Sequence, residues 1–146
     1  METKGGFLIS RIKQVGGRLF DRMLAEADID AFNSAQGRIL YVLWQGDELT
    51  ISQLSAQTSL ANTTLTSMLD RMEQSGLIQR EPSPSDRRAL LIRLTDKARA
   101  LREDYDRISQ LMNEMYYLGF AEAEIRQFER YLQRVLDNLQ GGFDHE

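Results

Sequence analysis

Apolar residues recur at helical spacing over most of this chain, and the period changes only once. Phe7, Leu8, Ile12, Val15, Leu19, Phe20, Met23 and Leu24 predict a first amphipathic helix within residues 5–30. Gly16 and Gly17 weaken it by about 1 kcal/mol each relative to alanine and offer room for a neighbouring helix to come close. Asn33 followed by Gln36 has the capping-box pattern and opens a second helix. That helix closes before Gly46, after RILYVLWQ, whose near-continuous apolar character implies burial.

The box recurs at Thr50 and Gln53, with Ile51, Leu54 and Leu60 giving a short apolar face to a two-turn helix. After the polar break at Thr58 and Ser59 comes NTTLTSMLDRMEQSG, in which Leu65, Met68, Leu69 and Met72 form one stripe and Gly76 ends the helix. The opposite face carries Thr63, Thr64, Thr66, Ser67 and Arg71. A short helix, a tight turn and a longer helix with a polar outer face is the arrangement of a helix-turn-helix, in which the second helix presents side chains to base edges.

The period then shifts to that of strands. LIQRE (Leu77 to Glu81) and ALLIRL (Ala89 to Leu94) flank PSPSDRR, and the chain's two prolines, Pro82 and Pro84, both fall here. A hairpin with so long a loop projects at its tip, as the wing of a winged helix does. Arg87 and Arg88 stand near that tip, where arginines reach phosphates or enter a narrow minor groove. Arg87 reads equally as a phosphate contact or a solvated charge. Asp86 is expected to orient the Arg88 guanidinium through a charge-assisted hydrogen bond. Arg80 and Arg93 are expected to be strand-surface charges paired with Glu81 or Asp96.

Thr95 and Asp96 supply a cap and a first-turn acid for a long helix carrying Ala98, Leu101, Tyr105, Ile108, Leu111, Met112 and Met115 on one stripe. Gly119 interrupts it, and a last helix through Ile125, Phe128, Leu132, Val135, Leu136 and Leu139 ends at Gly141 and Gly142. Tyr116, Tyr117 and Phe120, near the interruption, read as packing between subunits or as the lining of a ligand pocket. The terminal helices hold more apolar surface than a small winged helix covers, and such surface marks an interface. The expected protein is mainly α, with a winged helix-turn-helix lobe at 33–95, a two-stranded wing, and flanking helices at 5–30 and 96–140 forming a helical dimerisation region.

Composition narrows the function. There is no cysteine, which excludes disulfides, thiolate metal sites, a cysteine nucleophile and cysteine redox sensing. The lone His145 lies in a polar tail expected to be disordered, where a metal site is not expected. With no internal histidine, no Gly-rich phosphate loop and no HExxH or GxSxG segment, an enzyme finds little support and no cofactor is implied. No segment reaches the roughly 18 apolar residues of a membrane span, and the N-terminus lacks a secretory pattern, so the cytoplasm is expected. Charge is unevenly spread: residues 62–100 hold seven basic groups and five acids, net +2, whereas residues 101–146 hold five basic groups and ten acids, net −5. A protein-interaction module built on the same lobe is the rival reading, and Arg88 argues against it.

NSAQGRILYVL, LTISQLSAQTSLANTTLTSMLDRMEQSGLIQRE and above all SDRRALLIRLTDKA resemble the MarR family of bacterial transcriptional regulators, over nearly the whole chain. The resemblance implies a homodimer on double-stranded DNA, usually a repressor, with recognition helices in major grooves and wings in flanking minor grooves. It places the Thr63 to Arg71 face in the major groove, gives Asp86 and Arg88 the wing roles, and implies release by small aromatic or phenolic ligands. Many members have a serine where Ala61 stands and a basic residue where Ser67 stands. Asn62 is expected to supply the cap that Ala61 cannot.

Overall fold

The structure, a computed structural model, describes residues 1–46 and 48–144. The tail reading of His145 lies outside the described residues. Along the chain run α1 (Gly5–Glu26), α2 (Ser34–Gln45), β1 (Leu49–Thr50), α3 (Ile51–Thr58), α4 (Asn62–Gln74), β2 (Ile78–Pro82), β3 (Leu90–Leu94), α5 (Asp96–Ala100), α6 (Arg102–Tyr116) and α7 (Glu122–Asp144). These form two compact units, Met1–Gln110 and Leu111–Glu146.

In the first unit both capping boxes form in full. Asn33 accepts from the Gln36 backbone at 2.8 Å while the Gln36 side chain accepts from Asn33; Thr50 and Gln53 repeat the exchange. Each box satisfies two N–H groups that a helix start otherwise leaves without partners. The predicted stripes then meet: Ile39, Leu40 and Leu43 of α2, Leu54 of α3, Leu65, Leu69 and Met72 of α4, and Ile78 and Ile92 of the sheet are almost fully buried in one core. Burial of this kind contributes roughly 1.5–3 kcal/mol per large apolar side chain.

Close approach occurs at Gly37 and not at Gly17. A Cβ on Gly37 would lie 3.0 Å from the Tyr105 ring, whereas one on Gly17 would meet Ser34 at an ordinary 3.7 Å. Tyr105 is surrounded by Phe20, Phe32, Tyr41 and Trp44, with ring centroids 5.1 to 6.1 Å away. Burial pushes its phenol above the usual range.

The hairpin forms as predicted, with Arg80 opposite Ile92 and Pro82 opposite Leu90. The short β1 adds a third strand on the other side of β3, pairing Leu49 with Ile92. Two residues are too few to leave a period-2 signature in sequence.

The helix expected from Asp96 onward is divided at Leu101. The Trp44 indole N–H donates to the Ala98 carbonyl at 3.1 Å, and Leu101 N–H closes a tight turn onto the same oxygen. A side chain that takes a ladder carbonyl is a recognised cause of a helix break. Arg102 completes the joint by donating to the Trp44 carbonyl at 3.3 Å.

In the second unit Gly119 adopts φ +84° and separates the helices, as expected. Tyr117 packs against Phe120 and Phe128 and donates to Glu129 at 3.0 Å. α7 does not stop at Gly141 and Gly142 but continues to Asp144. Its Tyr131, Leu132, Val135, Leu136 and Leu139 are exposed, as are Phe7, Leu8, Ile12 and Val15 of α1.

Candidate nucleic-acid interface

Three residues join α3 to α4. Ser59 ends α3 at φ 60°, the left-handed region that glycine fills most cheaply. Its neighbours hold the bend: Ser55 Oγ donates to the Leu60 carbonyl at 2.6 Å, and buried Thr58 both donates to Leu54 and accepts from Leu60. The Thr58 hydroxyl thus satisfies itself inside the core, where an unpartnered one is costly.

Ala61 is the N-cap of α4 and no side chain caps the helix. Asn62 does not take over that role, because it already lies inside the first turn. With Leu65, Leu69 and Met72 turned to the core, Thr63, Thr64, Thr66, Ser67 and Arg71 are all exposed on the other side. None of these five side chains forms a hydrogen bond or ion pair among the described residues. One further residue belongs to that face: Asp70 is exposed and stands three and four positions after Ser67 and Thr66, one turn further along. Continuing the same helical count would have found it.

At the wing the ladder extends past Pro82, with Ser83 N–H bonded to the Ala89 carbonyl at 2.9 Å. Ala89 N–H donates in turn to the Asp86 carbonyl at 3.1 Å, so Arg87 and Arg88 are the two central residues of a β-turn. Asp86 Oδ1 accepts from the Arg88 backbone N–H at 2.9 Å. This corrects the expected carboxylate–guanidinium bond: Asp86 shapes the turn, as aspartate does at its first position, and no contact with the Arg88 guanidinium joins them among the described residues. Both guanidinium groups are exposed and unpaired among the described residues.

At the other end of the wing the arginines are engaged. Arg93 reaches Glu48 at 2.8 Å and Glu81 at 3.2 Å, so one of its two expected partners holds. Arg80 binds neither of its expected partners. Its Nη2 lies 2.6 Å from Asp70 Oδ1 and 3.0 Å from Glu73 Oε1, and its Nε and backbone N–H both donate to Glu73 Oε2. The hydrogen bonds from the Arg80 side chain hold the Glu73 carboxyl below its ordinary value. The pairing was hidden because partners seven and ten positions away share no local period with Arg80.

The base of the lobe is tied by Thr95, which accepts from Ala98 N–H as the cap of α5 and donates to the Gly76 carbonyl at 2.6 Å. Lys97 Nζ adds a bond to the Ser75 carbonyl at the end of α4.

A short helix, a tight turn, an exposed hydroxyl-rich helix and a hairpin with two arginines at its tip define a winged helix-turn-helix DNA-binding lobe. Residues 32–90 match the sequence model of the MarR family. Over these residues the chain is similar to the MarR family of transcriptional regulators, whose members regulate transcription by binding DNA. It is 28% identical over 123 residues to the HTH-type transcriptional repressor IacR of Pseudomonas putida, covering 82% of this chain and 70% of the relative. To the organic hydroperoxide resistance transcriptional regulator of Bacillus subtilis it is 45% identical over 64 residues, 44% of each chain. A mutant of MarR from E. coli, crystallised with operator DNA, superposes with a TM-score of 0.80 at 28% identity, over 90% of this chain and 92% of that one. Among the described residues no helix is long and apolar enough to cross a membrane.

Proposed function

We propose that the protein is a cytoplasmic homodimeric repressor that binds a pseudo-palindromic operator and is released by a small aromatic or phenolic ligand. Within each chain, residues 33–95 form the DNA-binding lobe, and helices within 5–30 and 96–140 form the dimerisation region. Thr63, Thr64, Thr66, Ser67 and Arg71 face the major groove, Arg88 enters the minor groove, Arg87 contacts phosphate, and Asp86 holds their turn. The observation that carries this reading is the pair of exposed arginines at the centre of the wing-tip turn, unpaired among the described residues. Unpaired guanidinium groups bind phosphates without first breaking an internal ion pair.

The exposed apolar residues of α1 and α7 support the dimer, since a lone chain would leave that surface in water. Twofold symmetry then sets half-sites about one helical turn apart. The family likeness to a repressor from Pseudomonas putida supports the direction of regulation.

The test is fluorescence anisotropy against duplex DNA from upstream of the protein's own gene, across a salt series, with Arg88→Ala in parallel and sedimentation to fix the assembly. Salt-steep binding by a dimer that Arg88→Ala weakens is expected. Wild type binding no tighter than to a scrambled duplex at low salt would overturn the operator assignment and favour a protein-binding role for the lobe.

A further inference from the structure

Asp70 poses a problem for a helix that reads DNA. It is exposed, with a side chain 53% accessible, on the same face as Thr66 and Ser67, and Glu73 follows one turn on. Two carboxylates at that position face a polyanion, and like charges brought together across an interface repel. The structure places one cation against both. The Arg80 guanidinium, far less exposed at 20%, bridges Asp70 and Glu73 from the first strand of the wing. It is fixed by two further bonds to Glu73 Oε2, one from Nε and one from its own backbone N–H.

We infer that Arg80 is a positioning residue that shields the Asp70 and Glu73 carboxylates of α4 from DNA phosphates. Resting on the DNA-binding reading above, it deepens that reading by assigning a role to a residue outside the contact surface. The bridge lowers the local charge from −2 to −1 and turns the carboxylate oxygens towards the wing strand. A guanidinium suits this task because its planar fork serves two acceptors while remaining charged at every physiological pH. Its Nε and Nη2 donors are taken by protein carboxylates, which ties the guanidinium to α4.

The inference is tested by anisotropy on one operator duplex with Arg80→Gln, with the triple variant that adds Asp70→Asn and Glu73→Gln, and with Arg107→Gln. The last removes a cation whose ion pair, among the described residues, is with its helical neighbour Asp104. At about 50 mM salt, Arg80→Gln is expected to weaken binding about ten-fold, Arg107→Gln less than about two-fold, and the triple variant to return to wild-type affinity or better. Rescue by deleting the acids separates shielding from a purely structural clamp, which the triple variant would leave broken. Equal losses in Arg80→Gln and Arg107→Gln, or a triple variant as weak as Arg80→Gln, overturn the inference while wild-type binding preserves the DNA reading. Failure of wild type itself to bind removes both. Melting curves accompany each variant. Should Arg80→Gln not fold, Asp70→Asn with Glu73→Gln in the wild-type background is expected to tighten binding, and unchanged affinity overturns the shield.

Discussion

At the base of the wing Arg80 and Arg93 are each held by two carboxylates, whereas at its tip Arg87 and Arg88 meet none among the described residues. The four arginines lie within fourteen positions of one another, yet the strand register divides them into two uses. Those on the ladder lean on neighbouring elements and are spent inside the protein. Those in the turn are carried clear of the strands, because Asp86 occupies itself with a backbone N–H and leaves their side chains alone. The modest net charge of +2 over residues 62–100 therefore understates what the lobe offers a polyanion, since the acids are concentrated where the bound arginines are.

The comparison breaks most completely if the core beneath both ends is removed. Leu69→Ala, at a fully buried position on the inner face of α4, is expected to cost about 2–5 kcal/mol. In denaturant unfolding this should lower the midpoint sharply and abolish DNA binding at temperatures where wild type binds. Next comes the tip itself: Arg88→Ala is expected to cost about 1–3 kcal/mol of DNA affinity and to reduce the salt slope by about 1, with an unchanged melting temperature. Arg93→Ala at the base should do the reverse, leaving affinity within about two-fold and costing about 0–1 kcal/mol of stability, as exposed ion pairs do. Equal losses of affinity at Arg88 and Arg93 would erase the distinction.

A titration sharpens the comparison through a readout other than affinity. The Glu73 carboxyl is held below its ordinary value of 4.5 by Arg80. A depressed carboxyl contributes stability that is present above the unfolded value and lost as pH falls through the folded one. The base of the wing should accordingly loosen only below pH 4.5, with the Glu73 NMR carboxyl signal titrating below 4.5 in wild type and moving upward in Arg80→Gln. The smallest expected effect is in the helix-turn-helix bend, where Ser59→Gly relieves a left-handed residue and should raise stability by a few tenths to about 1 kcal/mol. A lowered melting temperature there would mean that the serine does more than tolerate its φ of 60°.

Much of this was readable from residues alone, and the limits have physical causes. Capping boxes at Asn33 and Thr50, the stripe through Leu65, Leu69 and Met72, and the proline-bounded wing are local patterns, written within a few positions of themselves. The exposed face of α4 follows from the same helical count, which also places Asp70 on it. What could not be read depends on contacts between distant positions. Arg80 with Asp70, Trp44 with Ala98, and the Gly37 backbone against Tyr105 bring together residues ten, fifty-four and sixty-eight places apart. β1 escaped because its strand character is imposed by pairing with β3. The Asp86 bond differs for the opposite reason: the backbone N–H two residues on is a nearer donor to its carboxylate than a mobile guanidinium.

The joint between α5 and α6 makes the molecule's own fluorescence a reporter. Trp44 is the chain's single tryptophan, and its indole N–H is the group that holds the joint by donating to Ala98. Indole emission shifts with the polarity and hydrogen bonding around that nitrogen. The protein therefore carries a built-in, label-free optical probe at the place where its wing strand passes into α5 and α6, and any event that straightens or opens that joint will be seen as a change in colour.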